Sequence, residues 1–191
     1  MTGSYRTYYV NPETGRDTND GLSMEFPFAS LFPVNRLDLN PGDKVLLARD
    51  SVFAGQFLQI RSSGTKELPI EIGSYSPEKE EGNPPLIAAD GQGIWYQDYG
   101  TPLDSPTHVY QGYVSSAVLL YDVKHVILRD LEITNRASEI PGESYSAPHK
   151  MNRTGVAVVA KDKGTCSGIT LRNLSIHDVN GNVYDKHMNN G

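Results

Sequence analysis

The densest run of reactive side chains lies near the end of the sequence: His177, Asp178, Asn180, Asn182, Asp185, Lys186 and His187. It follows directly on an alternating segment, so it sits at a strand edge. Asp178 and Asp185 suit glycoside hydrolysis if folding brings them about 5–10 Å apart. One carboxyl, its pKa raised by burial, would protonate the glycosidic oxygen. The other would activate water or attack the anomeric carbon. Glu132 or Asp130 is an alternative partner from the neighbouring layer, since paired strands lie about 4.8 Å apart. Lys186 and His187 complete the candidate catalytic group, and Glu132 and His177 are candidate substrate contacts. β-Elimination beside a uronate carboxyl needs different parts, a Lys or Arg base with calcium on the substrate. Lys186 and Arg172 would be the bases, and Asp130, Asp178 and Asp185 the calcium ligands. No transition-metal site is indicated, because His177 and His187 lack an evident third ligand. The plainer alternative is that His177 and Asp178 are turn residues bonded to nearby backbone.

A second group is aromatic. Gln92–Tyr113 carries Trp95, Tyr96, Tyr99, His108, Tyr110 and Tyr113 with Asp98 and Asp104. Rings flanked by carboxylates suit sugars, whose C–H faces stack on rings while hydroxyls bond to polar groups. Trp95, Tyr96 and Tyr110 are the candidate stacking residues. The alternative is that these rings anchor the loop to the body. Asn135–Arg153 is a second excursion, and such excursions on a rigid scaffold are common places for binding surfaces.

The elements that must hold these residues come from a repeat. Val123–Ile133 reads VKHVILRDLEI and Cys166–Ile176 reads CSGITLRNLSI. Leu128, Arg129, Leu131 and Ile133 align with Leu171, Arg172, Leu174 and Ile176, and Asp130 faces Asn173. Each copy alternates apolar and polar residues, the pattern of a half-buried strand. The alternation slips by one at Arg129-Asp130 and Arg172-Asn173, which predicts a bend between two short strands. Repeated strand pairs with turns between them are the mark of a solenoid. Earlier strands are expected at Tyr5–Val10, Asp43–Arg49, within Val52–Ile60, at Pro69–Tyr75 and at Leu86–Ala89. Phe26–Leu39 is expected to hold a short helix, limited by Pro33, whose apolar residues from Phe28 to Leu37 cover the open end of the stack. Asp17, Asn19 and Asp20 read as turn residues, with calcium as the alternative.

The chain of 191 residues fits one domain with a real core. Its net charge of -6, with no basic tract, argues against a nucleic-acid partner. No apolar stretch is long enough for a membrane span. Cys166 reads as a small, half-buried strand residue rather than a nucleophile. The polar run from His177 ends without a cap. We therefore expect residues 5–191 to be the N-terminal part of a longer domain, with loop excursions at 92–113 and 135–153. Downstream coils or a second copy would cover the open end.

The opening YYVNPETGRDTNDGLSMEFPFASL, followed by NPGDKVLLARDSVFAG, with PIEIGSY and DVKHVILRDLEITN, resembles the right-handed parallel β-helix superfamily of carbohydrate-active proteins. That group holds pectate-lyase-like enzymes and β-helix glycoside hydrolases. The resemblance implies an all-β, right-handed parallel β-helix with a short N-terminal capping helix. It also implies a secreted or periplasmic bacterial protein acting on a polysaccharide or oligosaccharide. The expected activity is hydrolysis of a plant or algal polysaccharide by acid/base carboxylates, without a cofactor. The alternatives are a calcium-dependent lyase and a non-catalytic carbohydrate-binding or surface protein.

Overall fold

Short apolar bursts separated by Gly, Pro, Asn and Asp give short strands, each turning one face inward. The computed structural model describes residues 5–77, 82–98, 111–136 and 152–179. Its strands are β1 (Thr7–Val10), β2 (Lys44–Ala48), β3 (Val52–Ala54), β4 (Leu58–Ile60), β5 (Ile70–Tyr75) and β6 (Leu86–Ala88). They continue with β7 (Ile94–Asp98), β8 (Gln111–Tyr121), β9 (Val126–Asn135), β10 (Asn152–Val159) and β11 (Thr170–Val179).

A seven-stranded sheet runs in the order β1-β2-β5-β9-β6-β3, with β11 also paired to β9. A four-stranded sheet runs β10-β8-β4, with β7 paired to β8. All pairs are parallel except β7 with β8. β9 is the hinge of the larger sheet. Its first half pairs with β5, Ile70 opposite Val126, and its second half with β6, Leu86 opposite Glu132.

The expected right-handed parallel β-helix is corrected by this topology. The strands form two sheets in non-sequential order, with an antiparallel member, not three regular faces. The physical reason lies in β9 and β11. Each passes its bend without breaking, so two expected faces merge into one sheet. The bends fall at Asp130 (φ 55°) and Asn173 (φ 51°). Asp and Asn enter this left-handed region more readily than other non-glycine residues. Asn173 Nδ2 donates to Asp130 Oδ1 at 3.0 Å, locking one bend over the other.

The helix is shorter than the 26–39 span allowed. It is one turn, α1 (Leu31–Val34), capped by Ser30, whose hydroxyl accepts from the Phe32 N–H. Asp17 in turn accepts from the Ala29 and Ser30 N–H groups and the Ser30 hydroxyl. Asn19 donates to the Pro27 carbonyl, and Asp20 accepts from the Leu22 N–H. These three side chains are thus spent on turn structure. The 21–28 segment covers the free edge of β1: Tyr9 N–H donates to Gly21 O, and Phe28 N–H to Tyr9 O.

The core lies between the two sheets. Val45, Leu47, Phe53, Leu58, Ile70, Ile72, Ile87, Leu120, Leu128, Leu131 and Ile133 are fully enclosed. Burying each such side chain contributes about 1.5–3 kcal/mol before conformational entropy is counted. No helix among the described residues is long and apolar enough to cross a membrane.

Candidate functional site

The two repeat copies run side by side. β11 pairs with β9 as Leu171↔Leu128, Arg172↔Arg129, Leu174↔Leu131 and Ile176↔Ile133. The register then shifts, and Val179, not Asp178, lies opposite Asn135. The extra residue falls at His177-Asp178, where Asp178 has φ 51°. Such a bulge bends a strand and re-aims a side chain. In β9 the corresponding Thr134 and Asn135 are buried. In β11 His177 and Asp178 stand exposed.

His177 is held between two carboxylates. Its Nδ1 lies 2.9 Å from Asp178 Oδ2, and its Nε2 lies 2.9 Å from Glu132 Oε1. The Arg136 guanidinium donates to the same Asp178 oxygen. Asp178, and after it Glu132, hold the His177 pKa above the ordinary imidazole value. Arg136 first, then His177, hold the Asp178 carboxyl below the ordinary carboxylate value. Asp178 is therefore an ionised carboxylate with two donors aimed at one oxygen.

Asn135 fixes the place from which Arg136 projects. Its Nδ2 donates to Ser115 Oγ at 3.0 Å and to Thr154 O at 3.1 Å, and its Oδ1 accepts from Gly91 N–H at 2.9 Å. The ends of β8, β9 and β10 thus meet at one buried side chain.

Of the residues singled out in the sequence, the fold brings together Glu132, His177 and Asp178. Asp130 lies at the neighbouring bend, engaged by Arg129 and Asn173. Burial pushes its carboxyl up, and Arg129 and Asn173 outweigh that, leaving it low. Arg129 also pairs with Glu71 at 2.6 Å, so this bend is an ion-pair ladder. Trp95 and Tyr96 stand apart on β7, in the smaller sheet. Trp95 Nε1 donates to Ser116 Oγ at 2.8 Å, and its ring meets Tyr121 edge-on. They border a groove of about 300 Å³ with Asp98, Tyr121, Ala157 and Lys161. Tyr96 is half exposed and meets Tyr113 edge-on. Tyr110, Asp185, Lys186 and His187 lie outside the described residues, as do 99–110 and 137–151 of the two expected excursions. Arg172 sits in register over Arg129. No group of three or more His, Cys, Asp and Glu among the described residues is arranged to hold a metal ion.

Sequence reasoning missed Arg136 and Asn135. A signal existed: Arg136 follows the end of the first copy, and the aligned stretch of the second copy carries a carboxylate.

No protein-family model matches the chain. The chain is similar to the lacto-N-biosidase of Bifidobacterium longum subsp. longum, 39% identical over the whole chain, which spans 13% of that protein. It is also similar to the GH136 lacto-N-biosidase from Eubacterium ramulus, known from native and selenomethionine crystal structures. There the identity is 61%, the TM-score 0.89, and the match covers 97% of this chain and 29% of that one. A rhamnogalacturonan lyase, 18% identical with a TM-score of 0.53 over 88% of the chain, shares the fold alone. The chain thus spans under a third of the lacto-N-biosidases it matches.

These matches correct the resemblance to pectate-lyase-like β-helix proteins, since the similarity runs to GH136 lacto-N-biosidases. They also correct the expected plant or algal polysaccharide, and with it the lyase and non-catalytic alternatives. The expectation of an enzyme, and of a glycoside hydrolase, agrees with what these relatives are. A carbohydrate partner agrees with them as well.

Proposed function

We propose that the full protein carrying this chain is a glycoside hydrolase of the lacto-N-biosidase kind, releasing lacto-N-biose from an oligosaccharide outside the bacterial cell. The observation that carries this reading is the re-aimed Asp178, gripped by Arg136 and His177 at a strand end, in a chain 61% identical to a GH136 lacto-N-biosidase. Asp178 serves as the ionised carboxylate, attacking the anomeric carbon or activating water. Asp185, seven residues on, serves as the acid that protonates the glycosidic oxygen. Lys186 and His187 follow that acid in the sequence. Trp95, Tyr96 and Tyr110 supply ring faces for sugars.

The same reading explains an exposed apolar margin. Leu171 and Ile176 are nearly half exposed, although their partners Leu128 and Ile133 are fully buried. Val158, opposite buried Leu120, is likewise exposed. Further strands, or a second copy, stacked on this margin would cover these side chains.

The test is incubation of the full protein with an oligosaccharide that ends in lacto-N-biose. The expected product is the free disaccharide. Asp178→Asn and Asp185→Asn should each slow release by about 10²–10⁴-fold with the fold retained. Release of monosaccharides only would sink the substrate assignment. Undiminished release by both variants would sink the residue assignment.

A further inference from the structure

We infer that His177 is a positioning residue: a doubly donating imidazolium strapped between Glu132 and Asp178 that aims the Asp178 carboxylate and keeps it charged. The inference rests on reading Asp178 as a catalytic carboxylate and adds how that carboxylate is held. The geometry carries it. Ionised carboxylates only accept hydrogen bonds, and imidazole donates from both nitrogens only when protonated. Both His177 nitrogens lie 2.9 Å from a carboxylate oxygen, so the pairing requires the cation. A neutral ring must leave one of these contacts without a proton.

The surrounding charges favour that state. Glu132 reaches the ring from β9 and Asp178 from β11, and Arg136 engages the far side of Asp178. Asp130, the next carboxylate on β9, is occupied by Arg129 and Asn173. Arg129 and Arg172 lie in register beyond that bend. Arg153 of β10 lies beside Gly91. Glu132 thus touches His177 and acts on Asp178 only through it. With its charge, Glu132 keeps the ring protonated. With its position one strand away, it sets the ring plane. The His177 pKa is raised in keeping with both contacts.

The linkage has a definite sign. The strap is intact while His177 is protonated and is lost as pH rises through its raised pKa. The neutral ring can then donate to only one of the two carboxylates, so it no longer ties Asp178 to Glu132, and the orientation of Asp178 relaxes. Turnover should therefore carry a high-pH limb that belongs to His177.

The test uses the full protein and three single variants, His177→Gln, Glu132→Gln and Asp178→Asn, with nitrogen-detected NMR of the His177 ring. In the wild type both ring nitrogens should carry protons at neutral pH. In Glu132→Gln the ring should titrate at lower pH, and the high-pH limb of kcat should move down with it. His177→Gln should lower kcat about 10-fold or more with KM within about threefold, and should abolish that limb, leaving only the one set by deprotonation of the Asp185 acid. A neutral His177 ring at pH 7, or wild-type kcat and pH profile in His177→Gln, overturns the inference while leaving Asp178 in place. Full activity in Asp178→Asn overturns the catalytic reading itself, and with it the positioning role.

Discussion

The two copies of the repeat, Val126–Asn135 and Thr170–Val179, share a Leu-Arg-x-Leu-x-Ile pattern and meet opposite fates. In β9, Leu128, Leu131 and Ile133 are sealed between β5, β6 and β11. In β11, Leu171 and Ile176 repeat two of those side chains in register and stand 47% and 45% exposed. The end of each copy differs more. β9 closes on buried Asn135, which ties three strand ends together, whereas β11 gains a residue and lifts His177-Asp178 into solvent. The same Leu-Arg-x-Leu-x-Ile pattern builds a core strand in one place and a site-bearing strand in the other. Coverage by neighbours and one bulge make the difference, not propensity.

That contrast can be broken most forcefully in the core. Leu128→Ala should destabilise by about 2–5 kcal/mol, because it leaves a cavity among fixed neighbours. Leu171→Ala, at the matching position, should cost less than about 1 kcal/mol in this chain. Urea unfolding of both variants checks this, and equal losses would mean that Leu171 is covered. Asn135→Ala should cost about 1–3 kcal/mol, since it strips partners from buried polar groups. Asp178→Asn, at the matching end of β11, should leave the melting temperature nearly unchanged.

Smaller effects sharpen the comparison at the bends. Asp130 has a depressed pKa, so its contribution is present above its unfolded value and is lost as pH falls through its folded one. Asn173 cannot titrate. Acid unfolding of Asp130→Asn should therefore show a shallower fall below pH 4 than the wild type, and Asn173→Ser, which removes one donor from Asp130, should change the slope in the same direction but less. Both bends sit at positive φ, so Asn173→Gly should be close to neutral, while Asn173→Val should cost about 1–2 kcal/mol. Thermal denaturation resolves the pair.

Much of this was readable from residues alone. The 43-residue offset that HVILRDLEI and GITLRNLSI suggest is the offset at which Asn173 bonds Asp130, and the slip at Asp130 and Asn173 is where the backbone turns. The nearness of Glu132, His177 and Asp178 followed from stacking one copy on the other. The merging of faces did not follow, because a bend read from alternation says nothing about its angle. The bulge was hidden because simple alignment sets Asp178 against Asn135, and only the ladder shows Val179 there instead. Arg136 escaped notice for the same reason: its role depends on where Asp178 points after the bulge. β7 was masked by its composition, since an aromatic, polar run reads as a loop until β8 pairs with it.

The most direct test of the account is a carbon-detected NMR titration of the Asp178 carboxyl in the wild-type protein. Because Arg136 and His177 share one of its oxygens, Asp178 should remain ionised to a pH below the ordinary aspartate value, and Arg136→Gln should bring its titration back up. A carboxyl that takes its proton at or above that ordinary value would be a proton donor instead, and would contradict the assignment of Asp178 as the charged member of the catalytic pair.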